Sequence, residues 1–139
     1  MAMTTRVVLT YRDYEALPND GRRYEIREGE LSVTPAPGTR HQEIIGNLYV
    51  ILREHVLAHG LGKVFLAPTD VILHDTSIVQ PDLVFVANER LRAISSRGIE
   101  GAPTLAVEVI SPSTVAIDRH TKLRLSRRGS VQAGGARWG

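Results

Sequence analysis

Cysteine is absent from the 139-residue chain, so neither a disulfide nor a thiolate-bound metal is open to it. Long apolar runs are absent as well. No stretch approaches the roughly 20 apolar residues that span a bilayer. The start, MAMTTRVVLTYRDYEALP, lacks the apolar core of about 7–15 residues that marks a secretory signal. Together these absences lead us to expect a soluble protein of the cytoplasm with no membrane partner. The third absence is of acid after Asp118. Residues 1–118 hold all 15 acids and 11 of the 17 Lys and Arg, a net −4, while residues 119–139 hold the other six cations, a net +6. The basic pI of about 9.3 therefore belongs to the tail, and does not argue that the body binds nucleic acid.

What is present suits one domain with a real core: 42% hydrophobic residues and 23% charged ones in a chain too short for two comfortable domains. Thr10 reads as the cap of a short helix, YRDYEAL, closed by Pro18 and the turn PNDG. In RRYEIREGELSVTPAPG, apolar and charged residues alternate on either side of Glu28-Gly29, the pattern of a hairpin. From about Thr39 to His59, Ile44, Ile45, Leu48, Ile51 and Leu52 recur at helical spacing, and Gly60 and Gly62 stop the helix. Three strand-like runs follow, KVFLAP, DVILHD and SIVQPDLVFVA, then a short polar helix or loop over 88–98. The strand LAVEVI comes next, and Ser111-Pro112-Ser113-Thr114 opens a helix expected to reach about Leu125. The fold class is α+β, a mixed sheet flanked by helices.

Two of these strands carry an acid where apolar side chains surround it. Glu108 lies inside Leu105–Ile110, and Asp82 follows Pro81 and precedes Leu83-Val84-Phe85-Val86. A carboxylate buried alone costs several kcal/mol, so each demands a partner. A divalent cation is one candidate: Mg²⁺ takes oxygen ligands, commonly one or two carboxylates plus water. The backbone carbonyl of Val109 offers a third oxygen. An arginine, or simple solvation at a strand end, is the plainer alternative, and periodicity does not decide between them. Asp118 and Lys122 stand four residues apart on the expected helix, which would let Lys122 lean back over the site.

The order PDLVFV, LAVEVISPST and D-x-x-x-K resembles the Uma2-type family of restriction-endonuclease-like proteins, within the PD-(D/E)xK nuclease superfamily. RRYEIREGELSVTPAPGTRHQEI is similar to that family's start, and the resemblance covers roughly residues 10–125. It implies a restriction-endonuclease-like core and a Mg²⁺ or Mn²⁺ site that hydrolyses phosphodiester bonds, with DNA as the substrate. Asp82 and Glu108 match the motif acids. The motif's usual lysine would fall at Ile110, and the resemblance points to Lys122 instead. Glu25 and His41 match further polar positions near the site. The implied catalytic set is thus Asp82, Glu108, Lys122, Glu25 and His41, with metal held by Asp82, Glu108 and Val109. For Glu25 a surface acid beside Arg23 and Arg27 remains open, as does a surface histidine for His41. His55, His59, His74 and His120 show no ligand spacing.

After KLRL the resemblance ends. SRRGSVQAGGARWG has Val131 and Trp138 as its large apolar residues, and residues 126–139 are expected to be a disordered basic tail, with the C-terminal part of the nuclease domain missing or altered. A lost strand would bare a sheet edge and favour a homodimer. The competing reading is an inactive nuclease-fold module that binds nucleic acid or another protein.

Overall fold

The alternation of apolar residues decides how the strands are used. In the computed structural model, which describes residues 5–110 and the strand 122–127, neighbouring apolar residues of one strand repeatedly enter different cores. Val71 and Val79 face one cluster with Val84, Val86 and Ile99, whereas Ile72 and Ile78 face another with Ile26. Leu83 turns away from Val84 to join Val107, Val109 and Ile45 in a third. Period-two side-chain direction thus builds three apolar layers from single strands.

Among the described residues ten strands form two sheets. They are β1 (Arg23–Arg27), β2 (Glu30–Thr34), β3 (Gly62–Leu66), β4 (Val71–His74), β5 (Ser77–Val79), β6 (Leu83–Ala87), β7 (Ile94–Ser95), β8 (Gly98–Glu100), β9 (Leu105–Ile110) and β10 (Lys122–Arg127). The first sheet runs β2-β1-β5-β4-β8-β7 and the second β10-β9-β6-β3. The β4–β8 pair is parallel and the other pairs are antiparallel, a mixed arrangement. The Val71–Val84–Ile99 cluster joins the sheets face to face. Helix α1 (Tyr11–Glu15) covers the far side of the first sheet through Tyr11 and Tyr14, and α2 (Thr39–Ala58) covers the second through Ile44, Ile45, Leu48 and Tyr49. The observed α+β architecture is consistent with a restriction-endonuclease-like fold.

The first hairpin forms where Glu28-Gly29 marks it. Glu28 has φ 49° and Gly29 φ 80°, the left-handed pair that a tight two-residue turn requires. A β-carbon at Gly29 would approach Val8 Cγ1 to 2.5 Å, so the residue is fixed by contact as well as by conformation.

Two expectations are corrected. SIVQPDLVFVA is not one strand: β5 ends at Val79 and β6 begins at Leu83, in different sheets. Pro81 lacks the N–H a ladder needs, and the chain crosses between sheets over Gln80-Pro81-Asp82. Second, the helix expected to reach Leu125 does not extend through Lys122, which begins β10, paired antiparallel with β9. K-L-R-L-S alternates with period two, and the open edge of β9 supplies the hydrogen bonds that propensity alone would place in a helix. Strand β10 also runs through Ser126 and Arg127, into the segment expected to be disordered. Asp118, His120 and the rest of the tail lie outside the described residues.

Candidate active site

The crossing from one sheet to the other brings Asp82 to the start of β6, next to β9. Leu83 is the register partner of Val107, so Asp82 stands one step further along, beside Glu108 and Val109. The N–H of Val109 donates to Asp82 Oδ2 at 2.7 Å. Arg23 Nη2 donates to Oδ1 at 2.7 Å, and His41 Nε2, in the first turn of α2, lies 3.2 Å from Oδ2. Because a carboxylate only accepts, the Nε2 of His41 carries the proton in this contact. Asp82 is 2% exposed, and these three donors explain how a buried charge is tolerated there.

Strand β1 supplies the opposite wall. The alternation R-Y-E-I-R places Arg23, Glu25 and Arg27 on one face of the strand. Glu25 is 7% exposed. Its Oε2 accepts the Gln80 N–H at 2.7 Å, and its Oε1 lies 3.4 Å from Arg27 Nη2. The same guanidinium nitrogen is 3.7 Å from Glu108 Oε1, so Arg27 lies between the two glutamates. Glu108 is partly open to solvent, its side chain 23% exposed.

Four of the five expected site residues are therefore near one another: Glu25 and Glu108 share Arg27, while Asp82 and His41 are in contact. The backbone of Lys122 is the register partner of Ile110, two positions beyond Glu108, and that of Arg124 is the partner of Glu108 itself. Val109 meets the site through its N–H. Arg23 and Arg27, in sequence only neighbours of Glu25, are in the structure the counter-charges of all three carboxylates. Their placement on one strand face beside Glu25 was the available signal.

Oxygen donors from buried and half-buried carboxylates are of the kind that a hard divalent cation takes. In the geometry described, guanidinium groups neutralise them. Among the described residues no group of three or more His, Asp and Glu is arranged to hold an ion. A cation would have to take over charge that Arg23 and Arg27 now satisfy.

Beside Asp82 opens a cleft of about 630 Å³ whose lining includes Arg23, Tyr14, Asp70 and Gln80. No helix among the described residues is long and apolar enough to cross a membrane.

The Uma2 family model, described as "Putative restriction endonuclease", matches residues 11–135. That range runs past Leu125, where the motif resemblance stopped. No match was found among curated proteins.

Proposed function

The chain belongs to the Uma2 family, and from that premise we propose that it is a metal-dependent endonuclease hydrolysing phosphodiester bonds in DNA. The observation that carries this reading is the meeting of Glu25, Asp82 and Glu108 where the two sheets cross, with arginines held against them. Asp82 and Glu108 would hold Mg²⁺ or Mn²⁺, with the Val109 carbonyl as a further oxygen and Glu25 close by across Arg27. Such an ion, when bound, activates a water and neutralises charge on the scissile phosphate.

The chain's own residues have distinct tasks in this reading. With a cation held by the carboxylates, Arg23 and Arg27 would be free to bind phosphate oxygens, for which a guanidinium is geometrically suited. His41 holds Asp82 in place through its Nε2–H. Lys122, whose backbone lies opposite Ile110 on the strand beside Glu108, contributes positive charge for the transition state. The protein acts in the cytoplasm in this reading, and as a homodimer.

Calorimetric titration of Mn²⁺ into the wild type and Glu108→Ala, both shown folded by circular dichroism, tests the site. Stoichiometric binding lost in the variant, with plasmid nicking that needs the metal, is the expected result. The completeness of the arginine–carboxylate pairing favours a second reading, an inactive nuclease-fold module. A folded wild type that binds DNA in chelator but takes up no Mn²⁺ would select it and reject the first.

A further inference from the structure

The cleft beside Asp82 has more structure than a metal-dependent phosphate site requires. Arg23 and Asp82 of the candidate site are part of its lining. Leu66, Pro68 and Pro37 add apolar surface to it, and Tyr14, Asp70 and Gln80 a polar patch, its floor. Leu66 is 39% exposed, an apolar side chain facing an open slot. The volume of about 630 Å³ falls within the roughly 300–1,000 Å³ common to small-ligand pockets.

The floor is organised. Tyr14 donates to Asp70 Oδ1 at 2.6 Å, and Gln80 Nε2 donates both to that oxygen, at 2.8 Å, and to the Tyr14 oxygen, at 2.9 Å. The side-chain donors of the trio that have partners bond within it. Asp70 Oδ2 and Gln80 Oε1 make no hydrogen bond among the described residues, and neither is a sealed, unsatisfied atom. The floor therefore offers acceptors to whatever enters. Apolar surface, unpaired acceptors and an arginine within one cleft suit a heteroaromatic ring with amino donors on its edge and a phosphate attached.

We propose that this slot receives an unstacked nucleobase of the DNA strand, adjacent to the phosphate to be cut, with preference for bases whose edge carries an exocyclic amino group, which thymine lacks. The proposal rests on the nuclease reading for the phosphate end and adds that the substrate is single-stranded or locally opened at the site. An intact duplex keeps those N–H groups paired and the ring stacked. Ring contact with the walls and hydrogen bonds to the floor together hold the base, as in sites that accept extruded or single-stranded bases.

The experiment is an NMR titration of the full chain with dGMP, dCMP, dAMP and dTMP, in chelator so that no metal contributes. Saturable shifts at the amides of Leu66, Ala67 and Gln80, larger for dGMP, dCMP and dAMP than for dTMP, are expected. Asp70→Asn reverses the acceptor on the floor while keeping its shape, and should weaken dGMP binding about tenfold. Leu66→Glu, at an exposed wall, should block the slot without touching the core. Glu108→Ala, outside the lining of the slot, should leave nucleotide shifts there while abolishing Mn²⁺ uptake, which separates this proposal from the nuclease reading. The slot is overturned if no nucleotide gives saturable shifts there at millimolar concentration. It is also overturned if both slot variants bind like wild type, even where metal-dependent cleavage is intact.

Discussion

A carboxylate that is 2% exposed and accepts from Arg23, His41 and the Val109 N–H is held from three sides, and Asp82 is that residue. Asp82→Asn keeps the volume and removes the charge that answers Arg23. It should cost about 1–3 kcal/mol in urea unfolding, as expected when a half-buried donor loses its charged acceptor. Arg27 presents the opposite case. Its guanidinium lies between Glu25 and Glu108 but is 41% exposed, so it adds little stability while competing with any cation for the same oxygens. Charges about 5 Å apart at an effective dielectric of about 20 interact by about 3 kcal/mol. Solvent reduces that, and Arg27→Gln should tighten Mn²⁺ binding about tenfold by calorimetry. Unchanged or weaker binding would remove Arg27 from the neighbourhood of the ion. The acids were legible in the sequence because a charge inside an apolar strand has no inexpensive explanation. The arginines were not, because their role depends on β1 lying beside β5, where residues far apart in the chain meet.

At the scale of elements, α1 is only five residues long and is held to the sheet by what its side chains reach. Thr10 and Asp13 close its first turn, the Thr10 N–H donating to Asp13 Oδ2 at 2.9 Å. Tyr14 then anchors it to Asp70 and Gln80. Burial, foremost, and the neighbouring Asp70 carboxylate push the Tyr14 hydroxyl above its ordinary value of 10.0. The unfolded chain therefore loses this proton before the folded one does. The stability it contributes is complete below about pH 10 and falls as pH rises beyond it. Tyr14→Phe should flatten that alkaline decline and cost about 1–3 kcal/mol at neutral pH, since Asp70 loses its donor. A variant whose unfolding follows the wild-type pH curve would refute the linkage. At the first hairpin, Gly29→Ala must tolerate both φ 80° and the Val8 side chain, and should destabilise by about 1–3 kcal/mol in the same assay. The hairpin and α2 were legible because local chemistry specifies them: a left-handed pair in one case, a helical stripe in the other. The break at Gln80-Pro81-Asp82 and the strand at Lys122 were not. Each is decided by an available sheet edge, a property of other parts of the chain.

For the whole molecule, the two sheets leave the site at their crossing, and in the proposed nuclease DNA would have to reach it past a body whose charge is unfavourable. Residues 1–118 carry a net −4, so attraction for a polyanion has to come from local cations, such as Arg22, Arg23 and Arg27, or from residues 119–139 with their six. These sources differ in their response to salt. Each phosphate contact contributes a slope of about −0.9 to log K against log salt for duplex DNA. Truncation after Arg127 keeps β10 intact and deletes Arg128 and Arg137. Measured in chelator on a duplex of arbitrary sequence, it should lower the slope by up to about 1.8 and weaken binding equally across sequences. The truncated chain should still bind Mn²⁺ with wild-type stoichiometry, because Asp82 and Glu108 both precede the cut. An unchanged slope would assign the phosphate contacts to residues before the cut, either Arg119, Lys122, Arg124 and Arg127 or the arginines nearest the carboxylates, which would have to leave them before DNA could be held.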